Sequence, residues 1–173
     1  MKSSAARCIF TLVSALAAVT YQRALAGESA ALLKGAETYN LKVKIYTENG
    51  CEADHSRLAS KSTQSFSRAP RLRWVAEEAI PDIMLSITVD VTALPPGSKE
   101  TEMCMYLVNA RSIHPMLGKF RYADQPRVVQ TLTFNKTLYS VIVPGKVQEA
   151  IELQTQKVLD MFLDEYLLGN PYP

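Results

Sequence analysis

One stretch, Asp82 to Ala93, constrains the fold more than any other. Ile83, Leu85, Ile87, Val89, Val91 and Ala93 fall on one side of an extended chain, and Asp82, Ser86, Thr88, Asp90 and Thr92 on the other. A period of two means a strand, and the contrast between its sides means one dry sheet face and one wet face. The remaining chain must therefore supply flanking strands and a layer to cover the dry side.

Flanking strands are readable. Tyr39 to Thr47 alternates, with Leu41, Val43 and Ile45 opposite Lys42, Lys44 and Tyr46, and Asn49-Gly50 ends it with turn chemistry. Arg71 to Glu77 is a short strand. Pro95-Pro96-Gly97-Ser98 is a turn before a strand from Glu102 to Ser112, apolar on both faces and so expected inside the sheet, with Pro115 closing it. Val128, Leu132 and Phe134 share one phase, whereas Tyr139, Val141 and Val143 take the other. A bulge or tight turn at Asn135-Lys136-Thr137 is expected to absorb that shift.

The covering layer comes from two helices. Asp54 and Ser56 are both good N-caps for a segment running to about Arg68 before Pro70. From Gly145 to Leu168, Val147, Ile151, Val158, Met161, Phe162 and Tyr166 recur at helical spacing, and Gly169-Asn170-Pro171 stops the helix. The expected fold class is α+β: a mostly antiparallel sheet of about five strands with two helices packed on one face, the long one C-terminal.

At the amino terminus, Lys2 and Arg7 precede an uncharged apolar run from Cys8 to Tyr21, followed by Ala24-Leu25-Ala26. Positive start, short apolar core and small-x-small ending are the order of a secretory signal peptide over residues 1–26. Residues 27–38 read as a flexible lead-in with one helical turn after Ser29, and 39–173 as one α+β domain. Losing Lys2, Arg7 and Arg23 leaves 16 basic against 17 acidic residues, a net charge of −1. The overall basicity thus belongs to the signal and gives no argument for nucleic acid or an anionic membrane. Cleavage also leaves two cysteines, Cys51 and Cys104, which export favours as a disulfide. Closing a loop of about 50 residues stabilises a fold by roughly 4 kcal/mol on the chain-entropy view.

Motifs for chemistry are scarce. The glycines are isolated, so the phosphate and dinucleotide loops, and a G-x-S-x-G elbow, are absent. Asp54-His55-Ser56 contains the residue types of a hydrolase triad, but neighbours in one short segment cannot orient one another as nucleophile, base and orienter. Cys51, His55, Cys104 and His114 lack the spacing of a zinc finger or knuckle. No metal site or cofactor is expected. Asn135-Lys136-Thr137 is also a glycosylation sequon at the expected turn.

Two surfaces stand out. Arg57, Lys61, Arg68, Arg71 and Arg73, with Trp74, form a candidate basic patch, set against an acid-rich stretch from Glu77 to Glu102 that could equally neutralise it. Residues 113–126 read as a long loop carrying Met116, Lys119, Phe120, Arg121 and Tyr122, residue types enriched at protein interfaces and hence a candidate partner-binding surface. The reading is an exported, periplasmic or secreted, non-enzymatic accessory or binding protein, with another envelope or extracellular protein as partner, no nucleic acid and no stable membrane insertion after cleavage. The alternative is a small hydrolase with an unrecognised site built from scattered carboxylates such as Asp82, Asp90 and Asp124. Mass spectrometry of exported material should find Gly27 first; an intact Met1 on mature protein overturns the cleavage reading.

Overall fold

The computed structural model describes residues 29–48, 50–76, 79–94, 102–118, 125 and 127–171. The expected signal peptide, 1–26, lies outside them. The elements in chain order are β1 (Thr38–Thr47), α1 (His55–Ser65), β2 (Arg73–Trp74), β3 (Ile83–Leu94), β4 (Met103–Gly118), β5 (Arg127–Ile142) and α2 (Val147–Gly169). The five strands form one sheet in the order β2-β1-β3-β4-β5, and the fold is α+β with the long helix C-terminal.

The sheet is mostly antiparallel, as expected, with its two long ladders antiparallel and the β1 side parallel. β1 runs parallel to both β2 and β3, while β3-β4 and β4-β5 are antiparallel. Parallel neighbours need a crossover, and α1, lying in sequence between β1 and β2, provides it. Cys51 and Cys104 are joined by a disulfide, with Cα atoms 6.0 Å apart. The bond links the chain just after β1 to the start of β4; these two strands run in opposite directions, with β3 between them.

β3 is as its alternation demands: Ile83, Leu85, Ile87, Val89, Val91 and Ala93 are buried. The helices cover that side. α2 buries Val147, Ile151, Val158, Leu159, Phe162, Leu163 and Tyr166, and α1 adds Leu58. A run of rings crosses the core. Tyr39 of β1 stacks on Phe66 after α1 at 4.0 Å, and Phe162 of α2 meets both Phe66 and, edge-on at 5.5 Å, Phe134 of β5.

β5 is a single strand through Asn135-Lys136-Thr137, so no turn forms at the sequon. The phase shift occurs earlier, where Ser112 pairs with Phe134 but Ile113 pairs with Leu132. Thr133 is the extra residue, and its hydroxyl pairs with that of Ser112 inside the core, so the bulge leaves no side-chain donor stranded. β4 likewise runs past Ser112 to Gly118. Pro115 is tolerated because β3 stops pairing at Ile113, leaving that edge of β4 without a strand that would need its N–H. Residues 113–118, expected as loop, are therefore strand, and His114 sits in a ladder.

The lead-in is held down. Its helical turn spans 29–32, Leu33 and Ala36 are buried, and Tyr166 donates to the Ala36 carbonyl at 2.9 Å. Asn170 accepts from Gly35 N–H at 2.7 Å and donates to the carbonyls of Leu33 and Tyr166. Ala30 packs so close to Gly169 that a Cβ there would lie 2.2 Å from the Ala30 carbonyl oxygen. Gly169→Ala should therefore destabilise by about 1–3 kcal/mol, the usual cost of forcing atoms into a packed site, measured by urea unfolding. Gly145→Ala, with open space around it, should change stability by less than about 0.5 kcal/mol.

Candidate functional site

The sequence-derived basic patch is divided by the fold. Asp54 caps α1 by accepting from Arg57 N–H, which sets the helix so that Arg57 and Lys61 reach α2. Both contact Glu152, whose side chain is only 6% exposed, and Gln148 donates to it as well. About two turns further along α2, Arg68 spans Asp160 and Asp164, and Arg73 faces Glu37. Four of the five basic residues thus meet acids from α2 and the lead-in, rather than from the 77–102 stretch. Arg71 and Trp74 are exposed near β2. An open groove of about 580 Å³ follows the seam, lined by Lys61, Ser65, Arg68, Glu149, Glu152 and Gln156. The charges along it are engaged with one another.

Other candidates are separated. His55 Nε2 lies 2.9 Å from the Val43 carbonyl, while Asp54 serves as the cap. Among the described residues no three His, Cys, Asp or Glu side chains group as metal ligands. Asp82 accepts from the N–H groups of Glu37 and Thr38 and from the Thr38 hydroxyl, tying the start of β3 to the start of β1. Asp90 lies eight residues along the same extended segment, on the order of 25 Å away, too far to share a catalytic task. Asp124 lies outside the described residues. So do Lys119, Phe120, Arg121 and Tyr122; Met116 is on β4, 47% exposed.

What sequence reading did not single out is the face of the sheet opposite the helices. Register places its side chains in rows across the strands. Met105 and Val141 share one row; Tyr46, Asp90, Leu107 and Tyr139 the next; Lys44, Thr88, Asn109 and Thr137 the next; and Lys42, Ser86, Arg111 and Asn135 the one after. Asn109 donates to both Asn135 and Thr137, so the sequon belongs to a polar band. Beyond that band comes a row of Asn40, Met84, Ile113 and Leu132. Tyr139 is 78% exposed, Tyr46 55%, Val141 46% and Met105 42%, although all are large apolar side chains. The signal was present in Tyr139, Val141 and Val143, read there only as phase.

No protein-family model matches the chain, and no curated protein does. Among solved structures it is similar to the PelC dodecamer from Paraburkholderia phytofirmans, at 13% identity and TM-score 0.44 over 74% of this chain and 87% of that one. It is also similar to a hypothetical protein from Chlamydia trachomatis, at 8% identity and TM-score 0.44 over 77% and 98%. A third is rare lipoprotein B from Shewanella oneidensis, at 8% and 0.35 over 72% and 91%. Likenesses this distant carry no function across.

Two acids on α2 titrate in opposite senses. Burial pushes the Glu152 carboxyl up, but the Gln148 and Lys61 hydrogen bonds and the charges of Arg57 and Lys61 together hold it below the ordinary range. Burial pushes Glu165 up beyond what Ser29 and Lys136 recover, and its Oε2 is buried without a partner. A lowered folded pKa contributes stability above the unfolded value and loses it as pH falls through the folded one; a raised carboxyl pKa does the reverse. Thermal melts across pH should show Glu152→Gln lowering Tm at pH 7 and flattening the acid limb. Glu165→Gln should raise Tm at pH 7, a gain that vanishes once acid protonates both states.

Proposed function

We propose that this chain is an exported, non-enzymatic binding protein of the bacterial envelope or extracellular space, and that it makes contact through the sheet face opposite its helices. The observation that carries the reading is the two-sidedness of the sheet. One face is buried under α1 and α2, while the other keeps Tyr46, Met105, Tyr139 and Val141 in water. Adjacent exposed apolar side chains of this kind mark contact surfaces, whereas single ones do not. The signal-like amino terminus and the Cys51–Cys104 disulfide support export. Exposed Met116 favours a second contact region where β4 leads into residues 119–122, the aromatic and basic segment of the sequence.

A photo-reactive residue placed at Tyr139 or Met105 in the exported protein should yield adducts, and the same residue at exposed Lys157 of α2 should yield few. Equal labelling from both faces, or none from the sheet, overturns the reading. Replacing Phe120 and Tyr122 together by Ala tests the second region, with loss of captured partner and little change in Tm expected.

A further inference from the structure

The bare sheet face is graded in chemistry along the strands. At the disulfide end lie Leu94, Met103, Met105, Leu107, Tyr139 and Val141. Rows on one face are two residues apart, roughly 6.7 Å, so Lys44 lies about 7 Å and Lys42 and Arg111 about 13 Å behind the row of Tyr139. All three cations are exposed. Against them stand Asp90 and, just past the end of β1, Glu48, whose carboxylate is taken up by the Ala93 N–H. An apolar end backed by a basic band is thus turned outward from a chain whose mature net charge is −1.

We infer that this end of the sheet docks on an anionic phospholipid surface, with Tyr139, Val141 and Met105 at the headgroup–acyl boundary and Lys44 and Arg111 against the phosphates. The inference rests on the contact reading above and names its partner. Interfacial elements bury apolar side chains about 5–10 Å deep; Met105 and Val141 lead, Tyr139 follows about 7 Å behind them, and Lys44 and Arg111, about 13 and 20 Å behind, extend long side chains toward the charged layer. Charge complementarity selects this occupant over a second copy, which would bring the same cations against themselves. Flexible Met and aliphatic side chains, with rings at the polar boundary, suit a fluid surface, where no fixed pocket has to be matched. Among the described residues no helix is long and apolar enough to cross a membrane. Docking of this kind is peripheral.

The test is sedimentation of the full mature, disulfide-bonded chain with vesicles of phosphatidylcholine alone or mixed with phosphatidylglycerol. Binding should appear on the mixed vesicles and fall as salt rises. Lys44→Glu with Arg111→Glu should weaken it about tenfold or more, since each basic residue at such a surface accounts for roughly a fivefold change. Lys34→Glu with Lys157→Glu, the same charge change away from the sheet face, should leave it nearly intact. Tyr139→Ser with Val141→Ser should weaken binding at unchanged Tm, and Asp90→Asn should strengthen it. No binding, equal binding to both vesicle types, or indifference to Lys44 and Arg111 overturns the inference. Photo-adducts to a protein from Tyr139 without vesicle binding would sink the lipid surface and leave the contact reading standing.

Discussion

The packing of α2 on the dry side of β3 is the constraint on which the rest depends. β3 can present only one apolar face, and α2 lays seven large side chains along that side of the sheet. Each fully buried side chain of this size contributes about 1.5–3 kcal/mol, before the entropy of ordering it is subtracted. Phe162 sits where the contributions meet, touching Phe66 on one flank and Phe134 on the other. Because both of these helices are spent on this side, neither covers the other face.

Apolar packing alone does not say how far along α2 the shorter helix should sit, and the charges supply that register. Glu152 is a nearly buried carboxylate with cations from two successive turns of α1 on it, and Arg68 repeats the arrangement at Asp160 and Asp164. The exposed pairs add little individually. Glu152 differs, because sliding α1 by one turn would take one of its two cations from a nearly buried charge, a larger penalty than any surface pair returns.

Element existence and the dry face of β3 were legible because periodicity is a local property, and so was the pairing of Cys51 with Cys104. The parallel pairing of β1 was not, although a strand, a helix and a second strand in succession over residues 38–74 is the pattern of a parallel crossover. The bulge was misplaced by a few residues because Leu132 and Phe134 share a phase in sequence and take opposite faces only once Thr133 is looped out. The acids opposing Arg57, Lys61 and Arg68 lie more than 90 residues away, so no local charge count could find them. Of the sheet-face site, only the alternation of its members was visible; their exposure depends on which side the helices choose.

The clamp between the two ends of the described chain sets an order of events during synthesis. Gly35 and Asn170 are 135 residues apart, and Tyr166 reaches back 130 residues to Ala36. A ribosome delivers Leu33 early and Tyr166 last, so the sheet can zip locally from β3 to β5 while its apolar face waits for a cover that has not yet been made. Completion is all or none with respect to length. A chain cut short before Phe162 presents an uncovered dry face, and the core cannot close until α2 has been delivered.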